Sequence, residues 1–128
     1  MIKATFYIKT LVDGRQYPVL NTFPRKFEML YELGMNDLSV STGVEIAVSN
    51  IEKVLSGDLE KFELSTGDWC VVDVGKEKSV ITNNFDEFEP VQVATSHIHL
   101  LMQEWLDFLK IYESGGIPGI SPPSRPDL

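Results

Sequence analysis

The chain has 128 residues, 43% of them hydrophobic and 23% charged, the size and composition of one globular domain rather than of a disordered chain. A domain of this length buries roughly two-thirds of its unfolded surface, so neither metal nor disulfide staples are required, and no window approaches the roughly 18 consecutive apolar residues of a membrane span. Eleven Lys and Arg stand against 19 Asp and Glu, a net charge of −8, which argues against a nucleic-acid partner, because that affinity comes largely from phosphate neutralisation by cations.

The first twenty residues read as a β-hairpin. Phe6, Ile8, Thr10 and Val12 alternate, and Asp13-Gly14 is a strong two-residue turn signal. A turn there pairs Val12 with Arg15, Thr10 with Tyr17 and Ile8 with Val19, while Pro18 suggests an edge or an early end for the second strand. A short helix over residues 24–33 follows, with Phe27, Leu30 and Tyr31 as its stripe and Gly34 as its stop. Leu38, Val40, Thr42, Val44, Ile46 and Val48 then recur with period two, the pattern of one long strand or of a hairpin with a three-residue loop. Ser49-Asn50-Ile51-Glu52 matches a capping box, predicting a short helix to about Ser56 with Gly57 behind it.

Four short strands are predicted at 59–64, 69–74, 78–82 and 91–94, with turns at Gly67-Asp68 and Gly75-Lys76-Glu77. In the first of them Phe62 and Leu64 face inward with Glu60, leaving Lys61 and Glu63 outside. A long helix runs from about Ser96 to Glu113 on a stripe of Ile98, Leu101, Met102, Trp105, Phe108, Leu109 and Tyr112, with His99, Gln103, Asp107 and Lys110 opposite. Gly115-Gly116 ends it, and residues 115–128 form a Gly/Pro-rich tail after a single domain over 1–114. The expected fold is α+β, an antiparallel sheet of hairpins packed against a long C-terminal helix and two shorter helices. The tail carries Pro123-Ser124-Arg125-Pro126, a PxxP match that is common in mobile segments.

No assembled catalytic set is visible. Cys70 sits mid-strand between Trp69 and Val71, the setting of a buried inert thiol rather than of an accessible nucleophile. As the single cysteine it cannot form an internal disulfide, and with no apolar leader in the first ten residues the expected compartment is the cytoplasm. His97 and His99 are two apart and diverge on a helix, so they cannot share a metal ion. The glycines match neither a phosphate loop nor a dinucleotide fingerprint. The reading is of a protein that is not an enzyme and needs no cofactor or metal.

Charge is uneven along the chain. Residues 1–26 hold Lys3, Lys9, Arg15, Arg25 and Lys26 against Asp13, a net of +4, and the remainder holds six basic and 18 acidic side chains, a net of −12. An acidic field of that size speeds encounter with a basic protein; it also serves solubility alone. Asn83-Asn84-Phe85-Asp86-Glu87-Phe88-Glu89-Pro90 concentrates acids and aromatics in an expected loop. Phe85 or Phe88 would anchor a partner's pocket while Asp86, Glu87 and Glu89 meet its cations; alternatively both rings enter the core and the acids face water. Glu63 and Asp68 are further surface candidates for partner binding.

The order of elements, the small acidic character and the segment His99-Leu100-Leu101-Met102-Gln103-Glu104-Trp105-Leu106-Asp107-Phe108-Leu109-Lys110-Ile111-Tyr112 resemble bacterial immunity proteins of polymorphic toxin systems, contact-dependent growth inhibition being the nearest setting. The likeness covers roughly the C-terminal half and rests on a Trp-x-x-Phe-Leu helix followed by a Gly/Pro-rich tail. It implies a cognate toxin as partner, many such toxins being nucleases with basic clefts, and inhibition by stoichiometric occlusion of that cleft. The alternative is a small acidic accessory or regulatory subunit of another complex.

Overall fold

Strands β1 (Lys3–Thr10) and β2 (Gln16–Phe23) pair antiparallel as a two-stranded ribbon in the computed structural model, which describes residues 2–34, 36–65, 70–83 and 89–122. The hairpin lies where expected, but its register is one residue off the predicted one: Thr10 pairs with Gln16, Ile8 with Pro18 and Phe6 with Leu20. The cause is the turn. Leu11 N–H donates to the Arg15 carbonyl at 2.7 Å and Gly14 N–H to the Leu11 carbonyl at 2.9 Å, so residues 11–15 form the loop. Gly14 takes a left-handed φ of 89°, and Asp13 accepts both the backbone N–H and the Nε–H of Arg15. Because side chains alternate with period two, this slip decides which residues share a face. Ala4, Phe6 and Ile8 turn inward with Leu20 and Thr22, and the odd-numbered residues turn out.

A 3-10 helix spans Arg25–Gly34, where a helix was expected, and buries Phe27, Met29 and Leu30. At three residues per turn Phe27 and Leu30 align, whereas Tyr31 falls off that line and is exposed. The Thr22 hydroxyl donates to the Phe27 carbonyl at 2.6 Å, fastening this turn to β2.

The strand predicted from the alternation at 38–48 is absent. A short 3-10 turn (Asn36–Ser39) leads into helix α1 (Ser41–Ser56), within which the Ser49–Glu52 capping-box pattern is interior sequence. Val44, Ala47, Val48, Ile51 and Val54 form a buried helical stripe, and packing along it outweighs the β preference of the valines and isoleucines. Val40 and Ile46, two of the six residues in the period-two pattern, are exposed, whereas Leu38, Val44 and Val48 are buried. Gly57 ends α1 in the left-handed conformation, as predicted.

Strands β3 (Phe62–Ser65), β4 (Cys70–Val74), β5 (Lys78–Asn83) and β6 (Val91–Ala94) form a second antiparallel sheet in the order β3-β4-β5-β6. They match the four predicted strands, except that the first begins at Phe62, so Glu60 lies before it and is exposed rather than inward. Leu64, Val72 and Ile81 make a buried row across the inner face. Gly75 is required at the β4–β5 turn: a Cβ there would stand 2.8 Å from the Lys78 carbonyl oxygen.

Helix α2 (Thr95–Glu113) follows β6 directly. Its first residue is a buried junction. Thr95 Oγ1 donates to the Gly75 carbonyl at 2.5 Å, so its one hydroxyl proton is committed and the Ser79 hydroxyl, 2.8 Å away, donates to it. The predicted stripe packs as expected, with Phe108 half-buried. Trp105 stacks on Phe108 at 5.9 Å and meets Phe6 of β1 at 5.6 Å; its indole N–H donates to the Leu38 carbonyl at 2.7 Å. α1 and α2 are further joined by His99–Glu52 (3.1 Å) and Lys110–Glu45 (3.2 Å) contacts. Gly115 and Gly116 return their N–H groups to the carbonyls of Tyr112 and Ile111; the PxxP segment at 123–126 lies outside the described residues.

Candidate functional site

The four-stranded sheet buries one face and leaves the other open, as antiparallel sheets commonly do. Glu63 and Asp73 project from the open face and are exposed. They are directly opposite each other across β3 and β4, a like-charge cross-strand pair of the kind that weakens a sheet. Among the described residues no basic side chain comes within 4.0 Å of either carboxylate. Gln92 of β6 and the half-buried Val71, Val80 and Thr82 continue the same face.

β3 is the edge of its sheet, and beside it runs a groove of about 450 Å³ between the strand and α1, lined by Leu38, Val40, Ile46, Ala47, Phe62 and Leu64 together with Thr42, Gly43, Asn50 and Glu63. Ile46 keeps 65% of its surface and Val40 48%. A largely apolar concavity thus adjoins a carboxylate pair that no cation among the described residues neutralises.

Of the residues expected to bind a partner, Glu63 is on this face, and Glu89 is exposed just ahead of β6. Phe85, Asp86, Glu87, Phe88 and Asp68 lie outside the described residues. The strand ends at Ser65, Cys70 and Asn83, which flank both acidic segments, meet at one end of the sheet. Asp73 is undistinguished in the sequence and gains its place from the pairing of β3 with β4, which sets it opposite Glu63.

Cys70 is fully buried on the inner face, opposite Asn83. His99 contacts Glu52, and His97 Nδ1 is buried with no hydrogen-bond partner among the described residues. Among the described residues there is no cluster of three His, Cys, Asp or Glu able to hold a metal ion, and no helix long and apolar enough to cross a membrane. Burial pushes the Tyr112 phenol above its usual range, and the Glu113 carboxylate beside it adds to the effect. That tyrosine belongs to the α2 core stripe and not to a cleft. Comparison with protein-family models, with curated proteins and with solved structures finds no match to this chain.

Proposed function

We propose that this protein is a non-catalytic inhibitor of the immunity type, which neutralises a basic toxin, a nuclease by preference, through stoichiometric occlusion of its substrate cleft. The observation that carries the reading is the Glu63–Asp73 pair, held opposite each other on an open sheet face with no cation within 4.0 Å among the described residues, and beside a largely apolar groove. A basic cleft supplies the missing counter-charge, and an apolar side chain at its rim fits against Val40 and Ile46. The −12 balance of residues 27–128 supports the same partner by steering encounter. Glu89, exposed just ahead of β6, is a further acidic candidate; Phe85, Asp86, Glu87, Phe88 and Asp68 join the proposal on sequence alone.

The test is retrieval of the partner by the tagged protein from its source cells, with low-salt and high-salt washes, and assay of the released polypeptide for nuclease activity. A single basic polypeptide, silent in the complex and active once freed, is the expected result. Asp73→Lys combined with Glu63→Lys should lose the partner while keeping the native circular dichroism. Retention of a housekeeping assembly instead would identify an accessory subunit. Unchanged affinity and salt dependence in the double variant would remove the sheet face from the interface.

A further inference from the structure

The net charge hides a second pole. The basic excess of residues 1–26 is carried largely by the β1–β2 ribbon and the turn after it, and the register fixes what its outer face presents. Lys9 pairs with Tyr17, Tyr7 with Val19, Thr5 with Asn21 and Lys3 with Phe23. The three rings keep 46% (Tyr7), 37% (Tyr17) and 39% (Phe23) of their surface. Neither Lys3 nor Lys9 has an acidic side chain within 4.0 Å among the described residues. Arg15 stands at the hairpin tip, and Arg25 and Lys26 follow the far end of β2.

We propose that this outer face binds single-stranded nucleic acid. Eight residues per strand give a ribbon about 27 Å long at roughly 3.4 Å per residue, with a lysine opposite a ring toward each end and Tyr7 between them. Proteins that hold single strands without sequence preference combine these two elements: aromatic platforms for the bases and cations that follow the phosphates. Thr5 and Asn21 lie between the rings and offer hydrogen bonds to base edges. A protein interface gathers its aromatics into one desolvated centre; here a polar pair separates Phe23 from the tyrosines, which suits separate stacked bases better than one anchor.

The acidic body sets the preference within nucleic acids. A flexible strand can follow the ribbon alone, whereas a duplex is stiff over many turns and brings further phosphates against a surface with a net charge of −12. Binding is therefore expected at low ionic strength, for single strands over duplexes. Three phosphate contacts would give a log–log salt slope of about −2. The inference does not depend on the toxin reading, because it uses the opposite pole.

Fluorescence anisotropy of labelled oligothymidylate and oligouridylate, with a duplex of equal length and poly-glutamate as competitor, decides the matter. Loss of one ring in Tyr7→Ala or Tyr17→Ala should weaken binding roughly 5- to 150-fold, and Tyr7→Phe should restore most of it. Lys3→Glu with Lys9→Glu should abolish binding, while Asp73→Lys should not weaken it. These side chains are exposed, and a melting temperature no lower than the parent's confirms that each variant is folded. No binding at low salt, equal binding of the duplex, equal competition by poly-glutamate, or indifference to both tyrosines would each overturn the proposal.

Discussion

Helix α1 begins without a local cap: the residue before it is Val40, which makes no side-chain cap hydrogen bond. Its first N–H is instead satisfied from the other end of the fold. Ser41 N–H donates to Glu113 Oε2 at 2.9 Å and the Ser41 hydroxyl to Oε1 at 2.6 Å, so one carboxylate from the last turn of α2 closes the first turn of α1. The contact is partly buried and charge-assisted, and a negative group at a helix N-terminus also meets the favourable end of the helix dipole. Hydrogen bonds to a charged group contribute about 1.5–3 kcal/mol each, and a cap about 0.5–2 kcal/mol. These describe the same two contacts and do not add, which sets the loss in Glu113→Ala at about 2–3 kcal/mol. At about 3–5 °C per kcal/mol for a chain of this size, the melting temperature should fall by about 6–15 °C. Glu113→Gln keeps the shape and one acceptor and should lose about half as much.

The assay is urea unfolding followed by circular dichroism, run as a double-mutant cycle with Ser41→Ala. A coupling energy of at least about 0.5 kcal/mol is expected for groups in contact. If Glu113→Ala stayed within about 0.3 kcal/mol of the parent, or if the two substitutions were additive, the reciprocal cap would carry no stability and the junction of the helices would have to rest on packing alone.

Trp105→Phe should lose about 2–4 kcal/mol in urea unfolding, since it opens a void in the core and strands the Leu38 carbonyl that the indole N–H now satisfies. Thr95→Val, equal in shape, should lose about 2 kcal/mol because the Gly75 carbonyl and the Ser79 hydroxyl are both left unpaired in a buried site; Thr95→Ser should recover most of it. Tyr112 should ionise above the ordinary tyrosine range in an absorbance titration, and Tyr112→Phe should remove that late step. Its phenol is raised in the fold, so its contribution is complete below the unfolded value near 10 and is lost as pH climbs through the folded value. The stability of the parent should therefore decline relative to Tyr112→Phe only above about pH 10; a constant difference from neutral to alkaline pH would contradict the assignment.

Where one physical signal dominated, the sequence was sufficient. The stripe from Ile98 to Tyr112 fits only a helix, and the strands from Phe62 to Ala94 are punctuated by residues, such as Gly75, whose turn geometry admits little else. It was insufficient at 38–48, where Val44 and Val48 serve a period of two and a period of 3.6 equally well. Ala47, Ile51 and Val54 break the tie in favour of the helix, but the group that caps that helix is 72 residues away. In the hairpin a five-residue loop in place of the expected two-residue turn moved the register by one and changed the partner of every residue in β1. The candidate surfaces inherit these limits. Glu63 was legible from alternation, whereas Asp73 required the pairing of β3 with β4. The basic excess of residues 1–26 was legible too, but its gathering with Tyr7, Tyr17 and Phe23 on one face needed the true register.

The distribution of ion pairs bears on why both faces exist. Among the described residues, the pairs are Arg15–Asp13 at the hairpin tip and the His99–Glu52 and Lys110–Glu45 contacts between helices. None involves Glu63 or Asp73 on the open sheet face, or Lys3 or Lys9 on the ribbon. A chain shaped for stability alone has a simple remedy at position 73, since a lysine opposite Glu63 would replace cross-strand repulsion with attraction. Asp73→Lys should accordingly raise the melting temperature slightly while weakening the proposed toxin contact. Surfaces that leave like charges opposed, or cations unpaired between exposed rings, gain nothing within the molecule from that arrangement. On the proposed readings, their advantage lies in encounter with a counter-charge supplied from outside, where an uncompensated field speeds association and favours some partners over others.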